Sequence, residues 1–505
     1  MRLYQTVAGL RASLARYWQR KQIALVPTMG ALHPGHKRLI ETARQENDLV
    51  VVSIYVNPLQ FSPGEDLDRY PRDLEQDQRT CETLGVDVVF APSFTEMAGT
   101  AQPEASPTLV MPPESMINRL CGAFRPGHFQ GVATIVSKLL NLVQPDRAYF
   151  GQKDAQQLAI IRRLVQDLNL PVEIRACDIV REESGLAYSS RNQYLSPEEK
   201  AEALYLSRGL QQAKVAFQQG ERESKTLVNQ VQAELAKGKT MQVQYVELVH
   251  PDTIEPITQV EEVGLLAIAA YLGNTRLIDN MLLRHRQPIV AIDGPAGVGK
   301  STVAQKIAQA RQLVYLDTGA MYRAVTWQVL QAVIAVEDEA AIAELTSQSQ
   351  IQFLQTGQQQ RVLINGEDVT QAIRSPEVTA NVSAVSKHQG VRHLLVKQQQ
   401  QWGRQGGLVA EGRDIGTYVF PHAEVKVFLT ASVQERARRR LLDLKEQGYG
   451  LVFQEELEQQ IQERDRLDST RSVSPLRKAS DAVEIQTDGL TIEEVTQRIL
   501  GLLPE

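Results

Sequence analysis

The stretch VPTMGALHPGHKRLIETA (residues 26–43) decides how the first half of the chain is built. Four apolar residues, 23–26, lead into it, and Leu39, Ile40 and Ala43 recur at helical spacing after it. That pattern predicts a buried strand, a glycine-bearing turn and an amphipathic helix with Pro34 in its first turn. Two of the eight histidines of the chain, His33 and His36, fall at the mouth of that turn. A helix N-terminus presents unpaired N–H groups and the positive end of the helix dipole, so it favours phosphate. Two readings fit the pair: hydrogen-bond donors to phosphoryl oxygens as charge builds on them, or two surface histidines at a turn.

The chain has 505 residues, too many for one hydrophobic core, so roughly two to four domains are expected. A formal net charge of −6 argues against a general nucleic-acid or membrane-surface binder. Cys81, Cys121 and Cys177 form no CxxC pair, which points away from a disulfide framework or zinc site and toward a reducing cytoplasm. No apolar run approaches the ~20 residues needed to span a bilayer. The start, MRLYQTVAGLRASLARYWQRKQ, is arginine-rich and lacks acidic residues, a bias shared with organelle transit peptides. An amphipathic first helix is the expectation, because strand 23–26 follows at once.

Strand-like runs alternate with helical segments: IALVP, LVVVSIYVN, VDVVFAP and, after a long loop, DRAYFG. This alternation predicts βαβ units and a parallel sheet. Residues 198–238 read mainly as helix, and MQVQYVELV and GLLAIAAYLG as strands of a smaller α+β unit. A second α/β pattern opens with IVAIDGPAGVGKST. The expected domains are 1–187, 188–283, a join at 284–288, and 289–505. The glutamine-rich stretches QTGQQQR and VKQQQQWGRQ read as a polar turn and a solvated helix face.

In open α/β sheets ligands bind at the carboxyl ends of strands, so Asn57 and Gln60 in VNPLQF are expected at the crevice that holds the histidines. RPGHFQGV adds Arg125 and His128 in a glycine-bearing loop. YFGQKDAQQ again joins a strand to a helix. There Asp154 and Gln157 have capping-box spacing, so both have a structural reading. Lys153 does not, and a lysine at such a turn commonly meets phosphate. GLAYSSRNQYL offers two hydroxyls and Arg191, or simply a serine-rich turn.

The ordered set PTMGALHPGH, VNPLQF, YPRD, RPGHFQGV, GQKDAQQ and YSSRN resembles the pantothenate synthetase family over roughly residues 1–283, a member of the HxGH nucleotidylyltransferase group. The resemblance implies a Rossmann-like domain followed by a small α+β subdomain. It implies condensation of pantoate with β-alanine, in which ATP first adenylates the pantoate carboxylate and the amine then displaces AMP. Carried over by position, Met29, Gly30, Ala31, Leu32, His33, Pro34, Gly35 and His36 would line the ATP site, with His36 as proton donor. Gly151, Gln152, Lys153, Asp154, Val180, Tyr188, Ser189, Ser190 and Arg191 would complete it. Gln60 and Gln157, with Asn57 beside them, would hold pantoate, and Gln60 would also meet β-alanine. Lys153, Arg191 and both histidines would neutralise the attacked phosphorus. Tyr188 departs from the Leu or Met common at its place. The resemblance also implies a homo-oligomer joined through this half.

GPAGVGKS (residues 294–301) fits G-x-x-x-x-G-K-[ST] between strand IVAI and helix TVAQKIAQA. That is the context of a P-loop: a turn of Gly294, Pro295, Ala296, Gly297, Val298 and Gly299, with Thr302 after it, cradles phosphates through its backbone N–H groups, all but Pro295 having one, while Lys300 neutralises charge and Ser301 can reach Mg²⁺. Arginines crowd the rest of this half. EGRDIGTYVF follows strand GLVAE; ERARRRLLDL carries Arg436, Arg438, Arg439 and Arg440; ERDRLDSTR adds Arg464, Asp468 and Arg471. Solvated helix charge is one reading, favoured for Arg438 and Arg440, and a lid closing on the transferring phosphate is the other.

With LDTGAMYR and RSPEVTANVSAVSKHQGVR, these segments resemble bacterial cytidylate kinases over roughly residues 288–505. The resemblance implies a P-loop nucleoside monophosphate kinase fold, a CMP-binding insert at about 350–395 and an arginine-rich lid at about 434–475. Thr318, Ser383, Arg392, Arg413, Asp414, Arg464, Asp468 and Arg471 would surround CMP. The chain thus reads as a fusion of two enzyme families, α/β throughout, using ATP at both sites and small-molecule substrates. The alternatives are one live half beside a nucleotide-binding regulatory module, and a non-catalytic scaffold, which the completeness of both charged constellations disfavours.

Overall fold

A computed structural model describes the chain except residues 19, 62–64, 99–107, 357–358, 447–452, 471–473 and 504–505. It divides into two compact units, Met1–His285 and Arg286–Glu505.

The first unit is organised by β1 (Arg2–Tyr4), β2 (Ile23–Thr28), β3 (Leu49–Ile54), β4 (Val88–Phe90), β5 (Arg147–Gly151) and β6 (Glu173–Cys177). They form one parallel sheet in the order β1-β4-β3-β2-β5-β6. Burial on both faces explains the continuous apolar runs. In β2, Ile23 and Leu25 join the core under the helices Val7–Leu14 and His128–Val143. Ala24 and Val26 face Leu39, Ile40 and Ala43 of helix Pro34–Glu46. The chain steps outward from β2 through β3 and β4, then restarts on the other side at β5. A crevice therefore opens at the carboxyl ends of β2 and β5, where ligands bind in such sheets.

Helices Pro197–Gln218 and Ser224–Leu235 and the antiparallel strands β7 (Met241–Val249), β8 (Val263–Leu272) and β9 (Thr275–Arg284) complete this unit. The two-residue period of β8 divides its side chains cleanly. Leu265, Ala267 and Ala269 join the core of the parallel sheet, whereas Leu266, Ile268 and Ala270 pack with Leu206, Leu210 and Val231 of the two helices.

In the second unit, β10 (Gln287–Asp293), β11 (Val314–Asp317), β15 (Gly406–Gly412), β16 (Val425–Thr430) and β17 (Val483–Gln486) form a parallel sheet in the order β11-β15-β10-β16-β17. A separate antiparallel sheet, β12 (Ile351–Thr356), β13 (Gln359–Ile364) and β14 (Glu367–Asp368), packs through Ile351 and Val362 with Met321 and Val325 of helix Thr318–Gln331.

Several expectations need correction. The first 22 residues are not one amphipathic helix. Arg2–Tyr4 pairs in parallel with Val88–Phe90, and the helix is confined to Val7–Leu14, capped by Thr6, whose side chain accepts from Gly9 N. The join at 284–288 shrinks, since β9 runs to Arg284 and β10 starts at Gln287. VKQQQQWGRQ is not a purely solvated face. Gln399 is 1 % exposed, and Gln398 donates to Ser349 O at 2.8 Å. QTGQQQR lies in the β12–β13 hairpin, with residues 357–358 outside those described.

Candidate active sites

In the first unit, His33 is the N-cap of helix Pro34–Glu46, and His33 and His36 form a reciprocal capping box. His33 Nδ1 accepts from Gly35 N at 3.1 Å, and His36 Nδ1 accepts from His33 N at 3.5 Å. An Nδ1 that accepts leaves the proton on Nε2. Both rings, 4.1 Å apart between centroids, are thus held as Nε2–H donors at a helix N-terminus. Burial, His36 and Lys153 push His33 down to about 3. Burial and Lys153 push His36 down to about 4. Both are neutral at physiological pH, so they can donate hydrogen bonds to phosphate but carry no positive charge of their own.

The turn before the histidines is fixed from outside. Ala31 has φ 51°, a left-handed conformation costly for a residue with a Cβ. The buried carboxylate of Asp77 accepts from Ala31 N at 2.9 Å and from Leu32 N at 2.8 Å. Residues 29–36 are therefore supported by a helix some 45 residues further along the chain.

Lys153 follows β5 in a short 3-10 turn, Gln152–Asp154, at the head of helix Ala155–Asp167. Of the two readings of Asp154, helix cap or site residue, the cap is absent: Asp154 makes no side-chain cap bond. Instead Lys153, Asp154 and Gln157 line one cavity with Arg125, His128, Ser189 and Arg191. Arg191 is held by Asp66 through two bonds of 2.8 and 2.7 Å. Ser190 Oγ lies 3.3 Å from Tyr70 Oη. Tyr188 stacks over His33 with ring centroids 6.4 Å apart, and its N–H donates to Val180 O at 3.0 Å. An aromatic ring at position 188 thus borders the histidines directly.

Asn57 does not point into the crevice. It is 1 % exposed, and its Nδ2 donates to Gly131 O at 3.0 Å and to Gln60 Oε1 at 3.1 Å. It orients Gln60, whose Nε2 donates to Met29 Sδ at 3.0 Å. Gly131 is required there, because a Cβ would lie 2.3 Å from Leu59 O. His128 opens helix His128–Val143 and its Nδ1 is 2.6 Å from Gln60 O. Arg125 donates to the same carbonyl at 3.2 Å and pairs with Glu65. Asp66, Glu65 and Asp77 were missed in the sequence reading; Asp66 and Glu65 stand inside the stretch between VNPLQF and YPRD.

In the second unit, the loop after β10 opens with Gly294 at φ 148°, where a Cβ would lie 2.2 Å from Leu429 O. Lys300 heads helix Lys300–Arg311, with Ser301 and Thr302 in its first turn. Its Nζ donates to Pro295 O at 2.7 Å. Burial, then the nearby Arg413, depress it to about 7, against the opposing pull of Glu411 and Asp293. Asp293 accepts from Ile415 N and Gly416 N, both at 2.7 Å. That ties the P-loop strand to GRDIGT, and burial raises this carboxyl to about 6.

Thr318 donates to Glu411 O at 2.7 Å. Arg392 is buried and pairs with Asp414, and Arg413 pairs with Asp468 at 2.9 Å. Ser383 and Arg464 line one cleft with Arg323, a residue not singled out from sequence although it stands in the quoted LDTGAMYR. Arg471 lies outside the described residues. Arg436 bridges helix Val433–Glu446 to Asp465 and to Ala296 O of the P-loop at 3.2 Å. Arg438 is exposed and pairs with Glu435, a helix-surface role.

Two family models match: pantoate-β-alanine ligase over residues 2–282 and cytidylate kinase over 290–505. A bifunctional pantoate ligase/cytidylate kinase of Trichormus variabilis is 59 % identical over 525 aligned residues, covering 99 % of this chain and 98 % of that one. The protein of the same name in Synechocystis is 56 % identical over 507, with coverages of 99 % and 98 %. Pantothenate synthetase from Thermus thermophilus superposes with a TM-score of 0.53 at 45 % identity, covering 56 % of this chain and all of that one. Both halves match enzyme families, which leaves the reading with one live half unsupported. The parallel sheets, the two family models and the end-to-end likeness converge on one conclusion: this chain belongs to the bifunctional pantoate ligase/cytidylate kinases, with an ATP-dependent ligase in its first unit and an ATP-dependent kinase in its second.

Proposed function

We propose that the cavity of the first unit joins pantoate to β-alanine through a pantoyl adenylate. The observation that carries this is the pair of neutral Nε2–H histidines at a helix N-terminus whose electrostatics are coupled to Lys153. Attack by a carboxylate oxygen on the α-phosphorus of ATP gathers negative charge on phosphoryl oxygens. Fixed donors and cations placed where that charge develops lower the barrier without reorganising. His33 and His36 donate through Nε2, Lys153 and Arg191 supply charge, and residues 29–36, 151–154, 180 and 188–191 hold ATP. Gln60 and Gln157 orient pantoate, with Asn57 orienting Gln60. Pyrophosphate leaves. The β-alanine amine then attacks the acyl carbon, and the C–O bond to AMP breaks.

Oxygen-18 in the pantoate carboxylate tests the route. One labelled oxygen should emerge in AMP. Label confined to pyrophosphate, or found nowhere outside pantothenate, would exclude the adenylate.

In the second unit, residues 294–302 cradle the ATP phosphates and Lys300 leaves Pro295 O for them, regaining full charge beside the triphosphate. Thr318, Ser383, Arg392, Arg413, Asp414, Arg464, Asp468 and Arg471 surround CMP or dCMP. Mg²⁺ would neutralise phosphate charge. Among the described residues no cluster of three metal-ligating side chains occurs, which suits an ion held mainly by ATP and water with the Ser301 hydroxyl beside it. No helix among the described residues is long and apolar enough to cross a membrane. Assembly of copies through the first half rests on the family resemblance alone, and light scattering would test it.

A further inference from the structure

Two phosphate-binding segments of the proposed ligase site, the Gln152–Asp154 turn and residues 188–191, come from distant parts of the chain, and something must set the gap between them. The stretch TRLIDN (residues 275–280) of β9 supplies it. Asp279 and Asn280 are neighbours on β9, so their side chains leave opposite faces of the strand. They are 3 % and 4 % exposed.

Asn280 Nδ2 donates to the carbonyls of Gln152 and Lys153, at 3.0 and 2.8 Å. Both amide hydrogens are thus spent on the turn that carries Lys153. Asp279 accepts Arg181 in a two-point fork, at 2.7 and 2.9 Å, and also accepts Asn280 N at 2.8 Å. Arg181 in turn donates to Gly185 O at 3.1 Å and bridges Ala187 across the narrow hairpin that leads into Tyr188 and Ser189. One dipeptide therefore grips one ATP-binding segment on each face of a single strand.

We propose that Asp279 and Asn280 are positioning residues that fix the separation of Lys153 from the 188–191 segment, so that the small antiparallel sheet sets the geometry of adenylation. This rests on the assignment of both segments to the ATP site. A strand is stiff along its length, and a two-point fork and a double amide donation leave few soft torsions between the segments. Both residues border the cavity that Lys153 and Arg191 line, but their side-chain hydrogen bonds are spent on Gln152, Lys153 and Arg181, so the effect falls on how ATP is held, not on the amine that arrives later.

The test uses the full chain with Asn280→Asp, which keeps the size but turns a double donor into an acceptor facing two carbonyls. Pantoate-dependent exchange of pyrophosphate into ATP reads adenylation without β-alanine. The expected result is a ~10–100-fold fall in kcat/KM for ATP in exchange, with a raised KM for ATP and an unchanged KM for β-alanine in the complete reaction. Asn280→Ser, which keeps one donor, should fall between the two. It also serves as the readout should Asn280→Asp not fold. A purely structural role would lower the active fraction with both KM values unchanged, and that result overturns the proposal, as does exchange at the wild-type rate. Lys153→Met separates the two layers. If it leaves exchange intact, the assignment of the ATP site fails; if it abolishes exchange while Asn280→Asp and Asn280→Ser do not alter the KM for ATP, only the clamp fails.

Discussion

Asp77→Asn probes how the paired histidines are held, at a distance from the chemistry itself. Asp77 lies in helix Leu74–Thr83, 3 % exposed, and each carboxylate oxygen accepts one N–H of the turn, from Ala31 and from Leu32. Asparagine is nearly isosteric. It keeps one acceptor and turns an NH₂ group toward the other backbone N–H. A lost hydrogen bond to a charged group costs ~1.5–3 kcal/mol, and the orphaned N–H adds to that if the turn does not move. The turn does have somewhere to go, because Ala31 at φ 51° gains ~1–2 kcal/mol by leaving the left-handed region. Relaxation therefore carries His33 and His36 away from their positions. At 1.36 kcal/mol per tenfold, the expected fall in ligase kcat/KM is ~10–150-fold. The assay is pantothenate formation with saturating pantoate and β-alanine and varied ATP, with kinase turnover on the same preparation as a folding control. Ligase turnover at the wild-type level in a folded Asp77→Asn protein would refute the argument that this carboxylate holds the turn.

Other consequences follow from the same geometry. Burial holds His33 and His36 below the usual 6.5, so between about 3 and 6.5 the unfolded chain binds more protons than the folded one. Stability of the first unit should therefore fall as pH drops through that window, and His33→Gln should flatten the slope in denaturant titrations; an unchanged slope would contradict the assignment. Because both rings are already neutral, ligase kcat/KM should show no transition near pH 6.5, and a histidine-like loss there would place an imidazolium in the mechanism instead. Gly294→Ala, with its Cβ 2.2 Å from Leu429 O, should destabilise the second unit by ~2–5 kcal/mol and remove kinase activity while the ligase persists, as paired activity assays would show. The acceptor should be CMP or dCMP over UMP, since groups matched to the cytosine edge are left unpaired against uracil, at several kcal/mol; equal kcat/KM for UMP and CMP would refute that.

What was legible in the sequence was local. A strand ending in a phosphate-binding turn needs contiguous residues, so the histidine pair, Lys153, the serine–arginine turn and the P-loop all stood out as short motifs, and alternation of strands and helices gave both parallel sheets. What escaped was the set of partners that hold those motifs in place. Asp66 meets Arg191 across 125 residues, Asp279 meets Arg181 across 98, and Asp77 meets Ala31 across 46. One carboxylate among many carries no sign of which distant donor it will find. The edge strand Arg2–Tyr4 is three residues long, too short for any period to show against the helix-like run that follows. Asp154 and Gln157 show the limit of spacing alone: it fits a cap as well as a site, and only the fold, in which Asp154 makes no cap bond and both residues line the cavity, separates the two. Gln399 looked solvated because its neighbours are polar, yet helical periodicity puts it on the same buried face as Leu395 and Val396.

The central claim is that one chain carries two complete and independent active sites. It is tested most directly by measuring both activities in two variants, His36→Ala and Lys300→Ala, on full-length folded protein. The expected outcome is a crossed pattern. His36→Ala loses pantothenate formation by ~10²–10³-fold and keeps CMP phosphorylation, and Lys300→Ala loses CMP phosphorylation and keeps pantothenate formation. Loss of both activities in either folded variant, or near-normal amide formation in His36→Ala, would contradict it.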